Sequence, residues 1–95
     1  MIMKVKIEYF SVVREIVGTR AEEVDVREGA TVGELLSALV ERHGDEFGDR
    51  VLEGGRLREH IHVLLDGRDV RTMKGLETPL TEGGTVSIFP PVGGG

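Results

Sequence analysis

Apolar and polar residues along this chain recur with two periods, and the period in force changes from segment to segment. Val5, Ile7 and Tyr9 alternate with Lys4, Lys6 and Glu8, a period of two that predicts a first strand with one buried face. Phe10 ends that run. Ser11 is placed to cap a short helical turn through Val12, Val13, Glu15 and Ile16, closed by Gly18, although its β-branched residues make it a weak helix. Glu22, Val24 and Val26, flanking Glu23 and Asp25, suggest a second strand at a sheet edge, where carboxylates discourage sheet-to-sheet association.

The period then changes to that of a helix. Thr31-Val32-Gly33-Glu34 fits a capping box, with Thr31 as N-cap and Glu34 reaching back to the Thr31 amide. Val32, Leu35, Leu36, Leu39 and Val40 share one face, which predicts a core-facing helix over 32–43. His43 falls in the last turn, near the negative end of the helix dipole, and Gly44 stands where the chain leaves the helix. Residues 45–60 read as a partly helical loop that Phe47 and Val51, four residues apart, would pin to the core.

Alternation returns at Ile61, Val63 and Leu65, and Asp66-Gly67 predicts a type I′ turn into a short strand around Val70. Gly75, Thr78-Pro79-Leu80 and Glu82-Gly83-Gly84 punctuate the crossing before a last strand that begins near Thr85. The order is strand, strand, long helix, two strands, crossing, strand. It predicts an α+β fold of two layers, the ubiquitin-like β-grasp: a mixed sheet whose first and last strands are parallel central neighbours, with one long helix across one face.

Composition narrows the function. Ninety-five residues, 39% of them hydrophobic, suit one domain, expected over 1–89. No stretch approaches the ~20 apolar residues of a membrane span, and Met1-Ile2-Met3-Lys4 lacks the apolar run of a signal peptide, so a cytoplasmic protein without membrane contact is expected. The absence of cysteine removes disulfides, thiolate metal sites and thiol nucleophiles. The net charge of -5 argues against nucleic acid as a partner, because phosphate contacts need a basic face.

The candidate chemistry therefore lies at the end of the chain. Val86 and Ile88 alternate with Ser87 and Phe89, and the strand then meets Pro90-Pro91-Val92-Gly93-Gly94-Gly95. Prolines cannot donate ladder hydrogen bonds and favour polyproline II, so residues 90–95 read as a flexible tail on a stiff lead. Fully extended, six residues span at most roughly 20 Å. Gly93, Gly94 and Gly95 carry no side chains and could thread a narrow channel. A terminal carboxylate has a reference pKa of about 3.3 to 3.7, so it is ionised and a poor electrophile at neutral pH. Adenylation by ATP would activate it toward sulfide, cysteine or lysine. Glycines at a terminus are also compatible with a frayed end or an expression remnant.

The stretch from Leu76 to Gly95, with its Pro79-Leu80, its acidic-glycine turn, its strand, Phe89-Pro90-Pro91-Val92 and its closing glycines, resembles the MoaD/ThiS family of sulfur carriers. Thr31-Val32-Gly33-Glu34-Leu35 at the helix start is similar as well, and the likeness extends over essentially the whole chain. Length and the Phe-Pro-Pro lead favour the small subunit of molybdopterin synthase over the shorter thiamin-pathway carrier. Gly55-Arg56-Leu57-Arg58 looks like archaeal-type members, some of which also act as protein modifiers. Gly93 stands where many members have alanine or threonine.

The resemblance implies that an E1-like adenylating enzyme consumes ATP to activate Gly95 and that a persulfide relay converts it to a thiocarboxylate. The large synthase subunit would use that sulfur to build the dithiolene of molybdopterin. On this reading the chain has no catalytic group and no permanently bound cofactor. Two alternatives stand beside it: a modifier joined to target-protein lysines through Gly95, and a non-covalent interaction module.

Phe89, Pro90, Pro91 and Val92 are the candidate docking residues, with Phe89 expected on the open face of the sheet, where an aromatic side chain could anchor a partner. The competing explanation is a minor cluster of Phe89 with Leu64 and Met73. His60 and His62 share an i, i+2 spacing that metals tolerate, but without a third ligand they read as surface residues, and no metal site is expected. Glu22-Glu23 and Asp45-Glu46 read as solvated acidic pairs rather than acid/base catalysts.

Overall fold

The first strand, β1, runs Ile2–Tyr9 and buries every second residue, Met3, Val5, Ile7 and Tyr9, in this computed structural model, which describes residues 1–90. Helix α1 covers Ser11–Val17 and stops at Gly18, whose φ of 88° is the left-handed conformation that a helix C-terminus requires. Strand β2, Ala21–Arg27, pairs antiparallel with β1, and α2, Val32–His43, follows. Helix α3 spans Asp45–Val51. Strands β3, Leu52–Glu53, and β4, Arg56–Leu57, then form a small separate hairpin around Gly54 and Gly55. Strands β5, His62–Leu65, and β6, Arg68–Asp69, lead through two 3-10 turns at Val70–Thr72 and Gly75–Glu77 to β7, Thr85–Phe89.

The main sheet has the order β2-β1-β7-β5-β6. Strands β1 and β7 are parallel central neighbours, with Tyr9 opposite Ile88, and β5 pairs antiparallel with the other edge of β7. The expected β-grasp is therefore present, with β2 at the sheet edge. Among the described residues no helix is long and apolar enough to cross a membrane.

The core follows from the two periods. Val32, Leu35, Leu36 and Leu39 of α2 join the buried faces of β1, β5 and β7, with Phe47 and Val51 of α3, in one cluster. The capping box forms as the sequence predicts: the Glu34 amide donates to Thr31 Oγ1 at 3.2 Å, and the Thr31 amide donates to Glu34 Oε1 at 3.0 Å. Gly33 has a packing reason. A Cβ there would stand 3.1 Å from the Leu76 carbonyl oxygen, so the second 3-10 turn and the crossing it begins could not lie this close to α2. The same crossing is tied down by hydrogen bonds from the Val32 amide to the Thr78 carbonyl (2.9 Å) and from the Leu80 amide to the Ala30 carbonyl (2.9 Å).

Four expectations change. Ser11 does not cap α1: Phe10 holds the extended N-cap geometry with no side-chain bond, and Ser11 takes a φ of 55° as the chain turns sharply out of β1. The second hairpin strand is Arg68–Asp69, and Val70 instead begins a 3-10 turn. The partly helical loop is a defined helix, α3, followed by a hairpin, and Phe47 and Val51 are its buried anchors. His60 lies in a turn before β5 and does not share a strand face with His62.

Candidate functional site: the end of the last strand

Strand β7 is hydrogen-bonded on both sides, which fixes where the chain leaves the sheet. Val86 and Ile88 are fully buried, and Phe89, opposite His62 of β5, is half-buried on the other face. Period two alone requires this division. The aromatic neighbour of Phe89 is Phe10, the residue just past β1: their rings stack with centroids 4.2 Å apart and planes inclined by 10°. Met73, proposed from sequence as a neighbour of Phe89, is partly buried against the main core.

Main-chain and cationic contacts lock this pair. The Phe10 amide donates to the Ile88 carbonyl at 3.3 Å. Arg14 of α1 donates from Nε to the Tyr9 carbonyl at 3.1 Å, which holds its guanidinium 5.8 Å from the centroid of Phe10. The end of β7 thus carries a small platform, Arg14 over Phe10 and Phe10 against Phe89. Sequence reasoning found Phe89 and missed Phe10. The signal was available, because parallel pairing of the first and last strands brings their ends together.

Pro90, read from sequence as the first tail residue, is itself buried. Pro91, Val92, Gly93, Gly94 and Gly95 lie outside the described residues.

Under the platform, on the helix side of the sheet, is a polar cluster. The fully buried Tyr9 donates its hydroxyl to Glu22 Oε2 at 2.5 Å, and His43 Nε2 lies 2.6 Å from the same oxygen. Arg42 Nε lies 3.1 Å from Glu22 Oε1. Tyr9 also meets His43 and Phe47 edge-on, at 5.9 and 6.2 Å between centroids. Burial opposes the charge of Glu22. The hydrogen bonds from Tyr9 and His43, with the positive charge nearby, outweigh that opposition and hold its carboxyl below the usual range. Burial, then the bond to Glu22, pushes the Tyr9 phenol far up. Glu22 is therefore neither a solvated surface acid nor a free catalytic one; it joins β1, β2 and the end of α2.

Among the described residues no three potential ligands cluster as a metal would require. His62 Nδ1 stands 3.6 Å from Asp69 Oδ2 and is about half exposed.

A ubiquitin-like sheet whose central strand β7 ends beside an aromatic platform defines the class: a β-grasp protein. The ThiS family matches residues 7–95, and the chain belongs to that family. It is 39% identical over 93 residues to small archaeal modifier protein 3 of Haloferax volcanii, covering 98% of this chain and all of that one. It is 35% identical over 91 residues to the molybdopterin synthase sulfur carrier subunit of Escherichia coli, covering 96% and 99%. The crystal structure of SAMP1 from Haloferax volcanii superposes with a TM-score of 0.84 at 35% identity, covering 97% and 99%.

Proposed function

We propose that Gly95 is the point of covalent attachment and that this chain carries sulfur there as the small subunit of a molybdopterin synthase. The observation that carries the reading is the placement of β7. It is held between two strands and ends beside the Phe10–Phe89 stack, immediately before Pro-Pro-Val-Gly-Gly-Gly. The family match includes that segment, and the Escherichia coli sulfur carrier subunit aligns over almost the whole chain.

On this reading an E1-like enzyme binds the platform and transfers AMP from ATP to the Gly95 carboxylate, releasing pyrophosphate. A partner persulfide then displaces AMP, and cleavage of the resulting sulfur–sulfur bond by a thiol leaves the thiocarboxylate. Gly93 and Gly94 admit the end to each partner's active site without side-chain obstruction. Phe89 anchors the docking lead, the buried Pro90 fixes its start, Pro91 and Val92 follow it in the sequence, and the large synthase subunit takes the sulfur. This chain's share of the work is positioning, since it brings no cofactor of its own. The cytoplasm, where ATP is at hand, is the proposed location.

A second reading has its own support: the Haloferax volcanii relative that matches from end to end is named a modifier. There the same activated carbonyl would pass to a target lysine as an isopeptide. Mixing the thiocarboxylated chain with a molybdopterin synthase large subunit and its pterin substrate separates the two. Return of the terminus to a carboxylate as dithiolene forms is expected. Retained sulfur, with isopeptide adducts on other proteins, would favour the modifier role.

A further inference from the structure

Of the 12 lysine and arginine residues, only Lys4, Lys6 and Lys74 carry a side-chain amine. That choice has a chemical consequence for a protein with an activated terminus: a guanidinium stays charged and inert toward acylation, whereas a lysine amine is a nucleophile once it loses its proton. Most of the positive charge of this chain is therefore of the inert kind.

The three amines are not equivalent. Lys4 and Lys6 lie on strand β1, on the open face of the sheet. Lys4 Nζ is 3.5 Å from Asp25 Oδ1, and Lys6 Nζ is 3.6 Å from Glu8 Oε2. Both side chains are exposed, and what sets them apart is this pairing with a carboxylate. Lys74 stands on a knuckle between the two 3-10 turns, is exposed, and enters no ion pair among the described residues.

Its main chain is fixed from several sides. The Lys74 amide donates to Thr78 Oγ1 at 3.0 Å, and Thr78 is buried. The Glu77 amide donates to the Lys74 carbonyl at 3.0 Å, and Met73 beside it packs on the core. Gly75 follows with a φ of 59°, a reversal that a residue with a side chain rarely makes. Among the described residues, an amine in no ion pair is thus presented on a main chain held by several hydrogen bonds.

We infer that Lys74 is an acceptor site through which one copy of this chain is joined to the Gly95 carbonyl of a second copy. The inference rests on the proposed activation of Gly95. The deprotonated Lys74 amine attacks the Gly95 carbonyl carbon of the adenylated copy, forming a carbon–nitrogen bond. The bond from that carbon to AMP oxygen breaks, AMP leaves with the electron pair, and the amine's surplus proton passes to water. Nothing is oxidised or reduced, and ATP consumed in the adenylation supplies the driving force.

The test incubates the full chain with ATP and an E1-like enzyme already shown to charge a control carrier, and follows both the adenylate and the joined dimer by intact mass. Wild type, Lys74→Arg and a Lys4→Arg/Lys6→Arg double variant are compared, with the branched peptide located by fragmentation. The adenylate should form in all three, while the dimer should form in wild type and the double variant and be lost in Lys74→Arg. An undiminished dimer in Lys74→Arg, or a branch mapped to Lys4, Lys6 or the amino terminus, overturns the inference. Adenylate without any dimer in wild type overturns it while leaving activation of Gly95 intact. No adenylate in wild type removes activation, and with it this acceptor role.

Discussion

Val86 and Ile88 are fully buried against the helix layer, whereas Ser87 and Phe89, their alternates on the same five-residue strand, are half-buried on the opposite face. On the helix side polar groups are used up internally: Glu22 collects Tyr9, His43 and Arg42, and the helix start is closed by its own capping box. On the open side Glu8 accepts from Ser87 at 3.2 Å, but the Phe10–Phe89 stack remains partly in water. One face of β7 makes the fold, and the other is the face we propose for recognition.

The largest expected break in this division comes from Phe47→Ala, which empties a fully buried site on the helix side. It should cost about 3–5 kcal/mol in urea denaturation, as large-to-small core changes do. Phe89→Ala should do the reverse. Loss of the stack, about 0.5–1.5 kcal/mol beyond the apolar area uncovered, should lower stability by less than Phe47→Ala does, while titration calorimetry with an E1-like partner should show at least about a tenfold loss of affinity, as for an interface hot spot. Undiminished binding would remove the docking role.

A pH titration sharpens the comparison. Because the folded Glu22 carboxyl is held below its ordinary value of 4.5, its contribution to stability is present above that pH and is lost as pH falls through the folded value. Thermal midpoints should therefore drop on acidification from about pH 5, and Glu22→Gln should flatten that drop. The smallest effect is expected from Thr31→Ala, about 1 kcal/mol by chemical denaturation, because it removes one half of a capping box on an already packed helix.

Where one periodicity ran uninterrupted, the fold was legible from the chain. The helix from Val32 to His43 has the predicted bounds because stripe, capping box and terminal glycine all agree. The long-range partners were harder to read. Glu22 looked like one more solvated acid, and only folding brings Tyr9 from β1 and His43 from the end of α2 onto it. Helix α3 was obscured because Gly48 and scattered charges blur its stripe; a Cβ at Gly48 would come within 3.0 Å of Val40, so that glycine serves close helix packing. At the site, Phe89 was recognised from its strand, whereas Phe10 looked merely like the end of a run, since nothing local announces a stacking partner 79 positions away in the chain.

The central claim is that the chain acts through Gly95. Its most direct test is the intact mass of the chain after incubation with an E1-like enzyme, ATP and a sulfur source, beside a form lacking Gly94 and Gly95. The account predicts replacement of one terminal oxygen by sulfur in the full chain and no change in the shortened form. An unchanged mass in the full chain, under conditions that convert a control carrier, would contradict it.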